Sequence, residues 1–193
     1  MRHKNAGFTL MEMIGVVAVI AILASMATPM IFDAIRNARV TSFVEDANVA
    51  RTAVARYYED TGNFPVHVAT STNVAQRQLL SNNPSNGING WAGPYMESDL
   101  DNPFNEGSYI GILNRTDAPY QFDLDGDGNA DTVRVAVLRV DGVTQTEARR
   151  ISDILDGDAD TDTGTGAWFT AGRVKLVGGN QNSSQLLIYL ARE

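Results

Sequence analysis

Glu12 is the one charged side chain in the otherwise largely apolar run from Phe8 to Phe32. On insertion scales a charged side chain at mid-bilayer costs about 2.5–3.5 kcal/mol, so an acid in such a segment is a candidate for function. A second group of chemistry-bearing residues is Asp123, Asp125, Asp127, Asn129 and Asp131. Oxygen donors on alternate residues suit a hard cation. Calcium takes about six to eight oxygens, and an EF-type loop supplies them from positions ~1, 3, 5, 7, 9 and 12. Counted from Asp123, these are Asp123, Asp125, Asp127, Asn129 through its backbone carbonyl, Asp131 and Arg134, with Gly128 where the loop must turn sharply. The first five fit, but Arg134 cannot replace a bidentate glutamate. Calcium is the cofactor this spacing predicts, and a solvated acidic turn between strands is the alternative. The run Asp156-Gly157-Asp158-Ala159-Asp160-Thr161-Asp162 lacks the turn glycine at the matching place. It stays open between a second site, a contribution to the first and an exposed loop.

Other chemistry is poorly served. The chain has no cysteine and only two histidines, His3 and His67, which leaves neither a zinc cluster nor a general base with a partner. No G-x-S-x-G elbow and no phosphate-cradling glycine loop is present. Spaced aspartates could in principle cleave glycosides, but their pattern here suits a cation. An enzyme is not expected. The formal charge of −8 is concentrated from Glu97 onward, where 17 acidic residues face 8 basic ones. That balance argues against a nucleic-acid partner.

The elements that must position these residues can be read from periodicity. Roughly 20 apolar residues as a helix cross a bilayer, and the run after Phe8 is long enough. Arg2 and Lys4 precede it, so the leader is expected to stay cytoplasmic. A cleaved secretory signal and a plain uncleaved anchor are the simpler readings. Ile35, Ala38, Val40, Phe43, Ala47, Ala50, Val54 and Tyr57 then recur at helical spacing, opposite a charged face. The helix should therefore continue to Thr61-Gly62-Asn63-Phe64-Pro65, a length of roughly 75 Å at about 1.5 Å per residue. Pro29 predicts a kink or local opening.

Residues 66–113 read as turn-rich, with a short helix near Val74–Leu80. Strands are expected at Tyr109–Leu113, Tyr120–Leu124 and Thr132–Val140, and a final hairpin from Arg173–Val177 and Gln185–Leu190 across Gly178-Gly179-Asn180. Thr144-Gln145-Thr146-Glu147 has capping-box spacing and should open a helix to about Leu155. Trp91 and Tyr95 read as a packed aromatic pair. The expected fold class is α+β, a long N-terminal helix packed on a small antiparallel sheet. The domains are a leader at 1–7, a membrane or fibre-core helix at 8–32, its amphipathic continuation at 33–61, and a globular head at 62–193.

Gly7-Phe8-Thr9-Leu10-Met11-Glu12, with the basic leader before it and the apolar run after it, resembles the processing site of type IV pilins and type II secretion pseudopilins. That resemblance implies cleavage by a prepilin peptidase after Gly7 and methylation of Phe8. It also implies retention of the helix and assembly through Glu12, with Pro29 as the family's helix-kinking proline. The implied mechanism pairs the incoming subunit's terminal amine with a neighbour's Glu12 inside an apolar bundle, where either charge alone is costly. Tyr57 to Pro65, Gly90 to Tyr95 and Asp101-Asn102-Pro103-Phe104 are similar in order to the major pseudopilin. The Asp101 block departs from that family's aspartate-proline-tryptophan-glycine, and the chain runs longer after it. Major pseudopilins carry a calcium site in the head, which the resemblance implies without assigning residues.

The expected partners are further copies of the chain in a filament, the peptidase, the inner-membrane assembly machinery and the membrane. The expected location is the bacterial inner membrane, with the head in the periplasm or on an extracellular filament. A minor pilin that primes or caps the fibre, and a membrane-anchored calcium-dependent binding module that never polymerises, are the alternatives.

Overall fold

The computed structural model describes residues 8–71, 77–80, 87–117, 120–157, 172–178 and 184–192. Contacts divide the chain into two units, residues 1–38 and 39–193. Helix α1 spans Leu10–Thr61. In the first unit its described side chains are all exposed: Ile14, Leu23 and Met30 stand 58%, 61% and 76% open. A run this apolar, with none of its side chains buried among the described residues, is long enough to cross a membrane. The helix runs without a break through Pro29, so the local opening expected there is not observed. Nearby hydroxyls turn back on the helix, Ser25 Oγ donating to the Ile22 carbonyl at 2.7 Å and Thr28 Oγ1 to the Ala24 carbonyl at 2.8 Å.

In the second unit α1 becomes one-sided. Val40, Phe43, Val44, Ala47, Ala50, Ala53, Val54 and Tyr57 are buried, at the three- and four-residue steps of one helix face. Ile35 and Ala38 were expected on that face but are exposed. The helix ends at Gly62, whose φ of 69° suits a residue without Cβ and whose N–H reaches the Tyr58 carbonyl at 2.8 Å.

The strands are β1 (His67–Val68), β2 (Ile110–Arg115), β3 (Val135–Asp141), β4 (Val174–Val177) and β5 (Gln185–Arg192), and helix α2 (Gln145–Leu155) lies between β3 and β4. They form one antiparallel sheet in the order β1-β2-β3-β5-β4. Ala136, Leu138 and Val140 of β3 join α1 and α2 in the main core. Val135 and Val137 point the other way and pack with Leu113, Tyr120, Phe122 and Leu187. Both faces are thus covered, which is why β3 is a buried apolar run and not a half-exposed alternation. The α+β class expected from sequence is the one found. Helix α2 begins as its capping box predicts, with Thr144 Oγ1 accepting from Glu147 N–H and the Glu147 carboxylate accepting from Thr144 N–H at 3.0 Å.

Four local expectations need correction. β3 starts at Val135, and Val133 is 77% exposed. Residues 120–124 are not a strand, apart from a single bridge at Asp123, because their aromatic side chains are used to cap the second sheet face. Residues 77–80 are a bridge and turn, not the end of a helix, and 72–76 lie outside the described residues. Strand β1 was not anticipated. At two residues it carries too little alternation to be read.

Candidate functional site

At the N-terminus, Phe8 and Thr9 precede the helix and Leu10 is its first residue. Thr9 therefore occupies the N-cap and Glu12 the third helical position. Glu12 N–H donates to Thr9 Oγ1 at 3.3 Å and to the Thr9 carbonyl at 3.1 Å. A carboxylate in the first turn is favoured by the unpaired N–H groups there. Phe8 is 76% exposed. Gly7 and the rest of the leader lie outside the described residues. Pro29 is fully within α1.

The acidic loop leaves the second sheet face after Phe122. Asp123, Asp125 and Asp131 each bring one carboxylate oxygen to within 4.8 Å of the others. The backbone enforces this convergence. Asp123 accepts from Gly126 and Gly128 N–H, both at 2.8 Å, one on each oxygen, so the chain wraps around that carboxylate. Gly128 takes φ 88°, as the sharp turn at that position requires. Asp131 accepts from Leu124 N–H at 2.6 Å and closes the loop, while its own N–H returns to the Phe122 carbonyl at 2.8 Å. Asp127 is not in the converging group. Its carboxylate turns onto Asn129, accepting from the backbone N–H at 2.8 Å and the side-chain amide at 3.1 Å. The Asn129 backbone N–H chiefly holds that carboxyl below its ordinary pKa. Arg134 at the twelfth position points away, donating from Nε to Asn114 at 3.2 Å.

In the second acidic run, Asp156 has a structural task. It accepts from Arg173 N–H at 3.0 Å, and burial is the main influence raising its pKa. Asp158, Asp160 and Asp162 lie outside the described residues.

Sequence reasoning missed the partner of His67. The ring is wholly buried, with Nε2 2.8 Å from Asp99 Oδ1 and Nδ1 accepting from Leu79 N–H at 3.4 Å. Arg77 pairs with the other Asp99 oxygen. This contradicts the expectation that no histidine has an acidic partner, but a ring at 0% exposure cannot reach a substrate. The 77–80 turn beside it is tied at several points. The Gln78 side-chain oxygen accepts from Val66 N–H at 2.8 Å and the Tyr57 hydroxyl at 3.1 Å; its backbone carbonyl accepts from Trp91 Nε1 at 2.8 Å. Trp91 and Tyr95 form the expected pair, edge to face at 5.7 Å, and the Tyr95 hydroxyl donates to Asp60 at 2.8 Å. Alongside runs a groove of about 810 Å³ between α1 and residues 94–100, walled by Asp46, Arg56, Leu80, Tyr95, Glu97 and Asp99 among others.

Residues 2–28 match the family model described as the prokaryotic N-terminal methylation motif, and residues 34–121 match PilW, C-terminal. Two fimbrial proteins from Neisseria meningitidis, one of serogroup A and one of serogroup B, are each 33% identical over 93 residues. That alignment covers 46% of this chain and 55% of each relative. Fimbrial protein EcpC of Eikenella corrodens is 32% identical over 71 residues, covering 37% of this chain and 46% of that protein. The chain thus spans about half the length of the curated relatives it matches. No solved structure matches.

Proposed function

Given that the chain belongs to the type IV pilin and pseudopilin superfamily, we propose that it is a pilus subunit processed after Gly7 and assembled through its N-terminal helix. The observation that carries this reading is the coincidence of the methylation motif over residues 2–28 with a long, exposed apolar helix whose first turn holds Glu12. Before assembly that helix has only lipid to cover it, which supports residence in the inner membrane. After assembly, the matching helices of other copies would cover it. The head has no reacting centre in this reading, and its work is structural.

Fimbrial relatives favour a pilus. The ordered blocks at 57–65, 90–95 and 101–104 favour a secretion pseudopilus as the second reading, and they bear on the filament's identity alone. The acidic loop is proposed to bind calcium through Asp123, Asp125 and Asp131, with the Asn129 carbonyl and water completing the oxygen set. The support is the convergence of three carboxylate oxygens around a glycine turn.

Mass spectrometry of the mature protein tests the main proposal. An N-terminus at methylated Phe8 is expected. A chain that still carries the leader, or one cut near Ala27, overturns it.

A further inference from the structure

We propose that His67 is an acid-sensitive latch whose protonation frees the 77–80 turn and opens the wall of the adjoining groove. In the closed form the neutral ring satisfies both neighbours: Nε2–H donates to Asp99 and Nδ1 accepts from Leu79 N–H. A second proton can go only to Nδ1, where it would meet the Leu79 N–H, donor against donor. Leu79 must then move, and its side chain is fully buried.

Asp99 and the Arg77 backbone favour a proton on the ring, and burial and the Arg77 guanidinium oppose it. The 94–100 segment presents Asp99 and the 77–80 turn presents Arg77; β2 places the uncharged Ile112 opposite His67. Arg77 already neutralises much of the Asp99 carboxylate. Burial is the largest influence, and it lowers the ring's affinity for a proton.

The latch has reach because so much hangs on the turn. Its Leu79 carbonyl accepts from Tyr95 N–H at 2.8 Å, and Gln78 holds Trp91, Val66 and Tyr57. Leu80, Tyr95 and Asp99 line the groove. Acidification therefore loosens one wall of the groove at the β1 edge and leaves the central strand β3 intact.

The test is hydrogen exchange and ring titration by NMR on the full H3Q chain in detergent micelles, in which His67 is the one remaining histidine. His67 should titrate below about 6.5, the ordinary value. Leu79 amide protection should fall about tenfold per pH unit from there down to the ring's own pKa, while Leu138 protection holds. In an H3Q chain also carrying His67→Gln, Leu79 protection should not vary over that range. Titration at or above 6.5 overturns the latch, as does a Leu79 amide that stays protected while the ring protonates. If the Gln variant does not fold, the parent titration and exchange decide alone.

Discussion

Calcium should raise the melting temperature of the full chain in detergent micelles, and the size of the rise can be worked out. Asp123, Asp125 and Asp131 bring like charges to within 4.8 Å of one another. A cation binding the folded loop stabilises by RT ln(1 + [L]/Kd), about 2.7 kcal/mol at a hundredfold excess over Kd. Exposed modules hold calcium with Kd of roughly 10⁻⁴ to 10⁻³ M, so about 10 mM ion approaches that excess at the tighter end. A domain of 150–250 residues shifts by about 2–4 °C per kcal/mol, which gives a rise of about 5–10 °C over a chelator control in scanning fluorimetry. Two variants locate the ion. Asp125→Asn should remove most of the shift, because it deletes a converging oxygen charge. Asp127→Asn should preserve most of it, because that carboxylate is spent on Asn129. Asp123 is a poor probe, since its oxygens also hold Gly126 and Gly128. No shift at 10 mM calcium, or an equal shift in Asp125→Asn, would refute the reasoning.

Thr144→Ala removes the N-cap of α2 and should cost about 1 kcal/mol in denaturant unfolding, with Thr144→Ser close to the parent. Leu138→Ala opens a cavity in a fully buried sheet position and should cost about 2–5 kcal/mol by the same measurement. Because the folded His67 pKa is lowered, its contribution to stability is complete above the unfolded value near 6.5 and declines as pH falls below it. Melts at pH 7.5 and 5.5 should therefore differ less in His67→Gln than in the parent chain.

Elements with strong local signals were legible. The amphipathic half of α1, the capping box of α2 and the final two strands depend on periods and caps written within a few residues. Where packing decided, sequence was less informative. Residues 120–124 alternate like a strand, yet Tyr120 and Phe122 are used as a lid on the second sheet face. His67 looked isolated because Asp99 is 32 residues along the chain, and the fold brings the two to 2.8 Å. In the acidic loop the spacing was visible but the fate of each oxygen was not. Asp127 fits the count as well as Asp125 does, and a hydrogen bond from Asn129 separates them.

Under the proposed assembly, Glu12 meets two demands that one substitution can separate. As the third residue of a helix capped by Thr9, a carboxylate there gains about 0.3–1 kcal/mol from the helix dipole. That makes the charge tolerable at the start of an apolar helix but does not explain an acid where a neutral residue would insert more cheaply. The proposed pairing with a neighbour's terminal amine would supply that reason. Breaking a buried ion pair by removing one partner costs about 3–5 kcal/mol, a hundredfold or more in equilibrium at about 1.4 kcal/mol per tenfold. Glu12→Gln keeps a side chain able to complete the cap and discards the charge. It should leave membrane insertion intact while incorporation into filaments falls a hundredfold or more, read by immunoblot of sheared filaments against membranes. Normal incorporation of the Gln variant would reduce Glu12 to a helix-capping residue and leave subunit registry to some other contact.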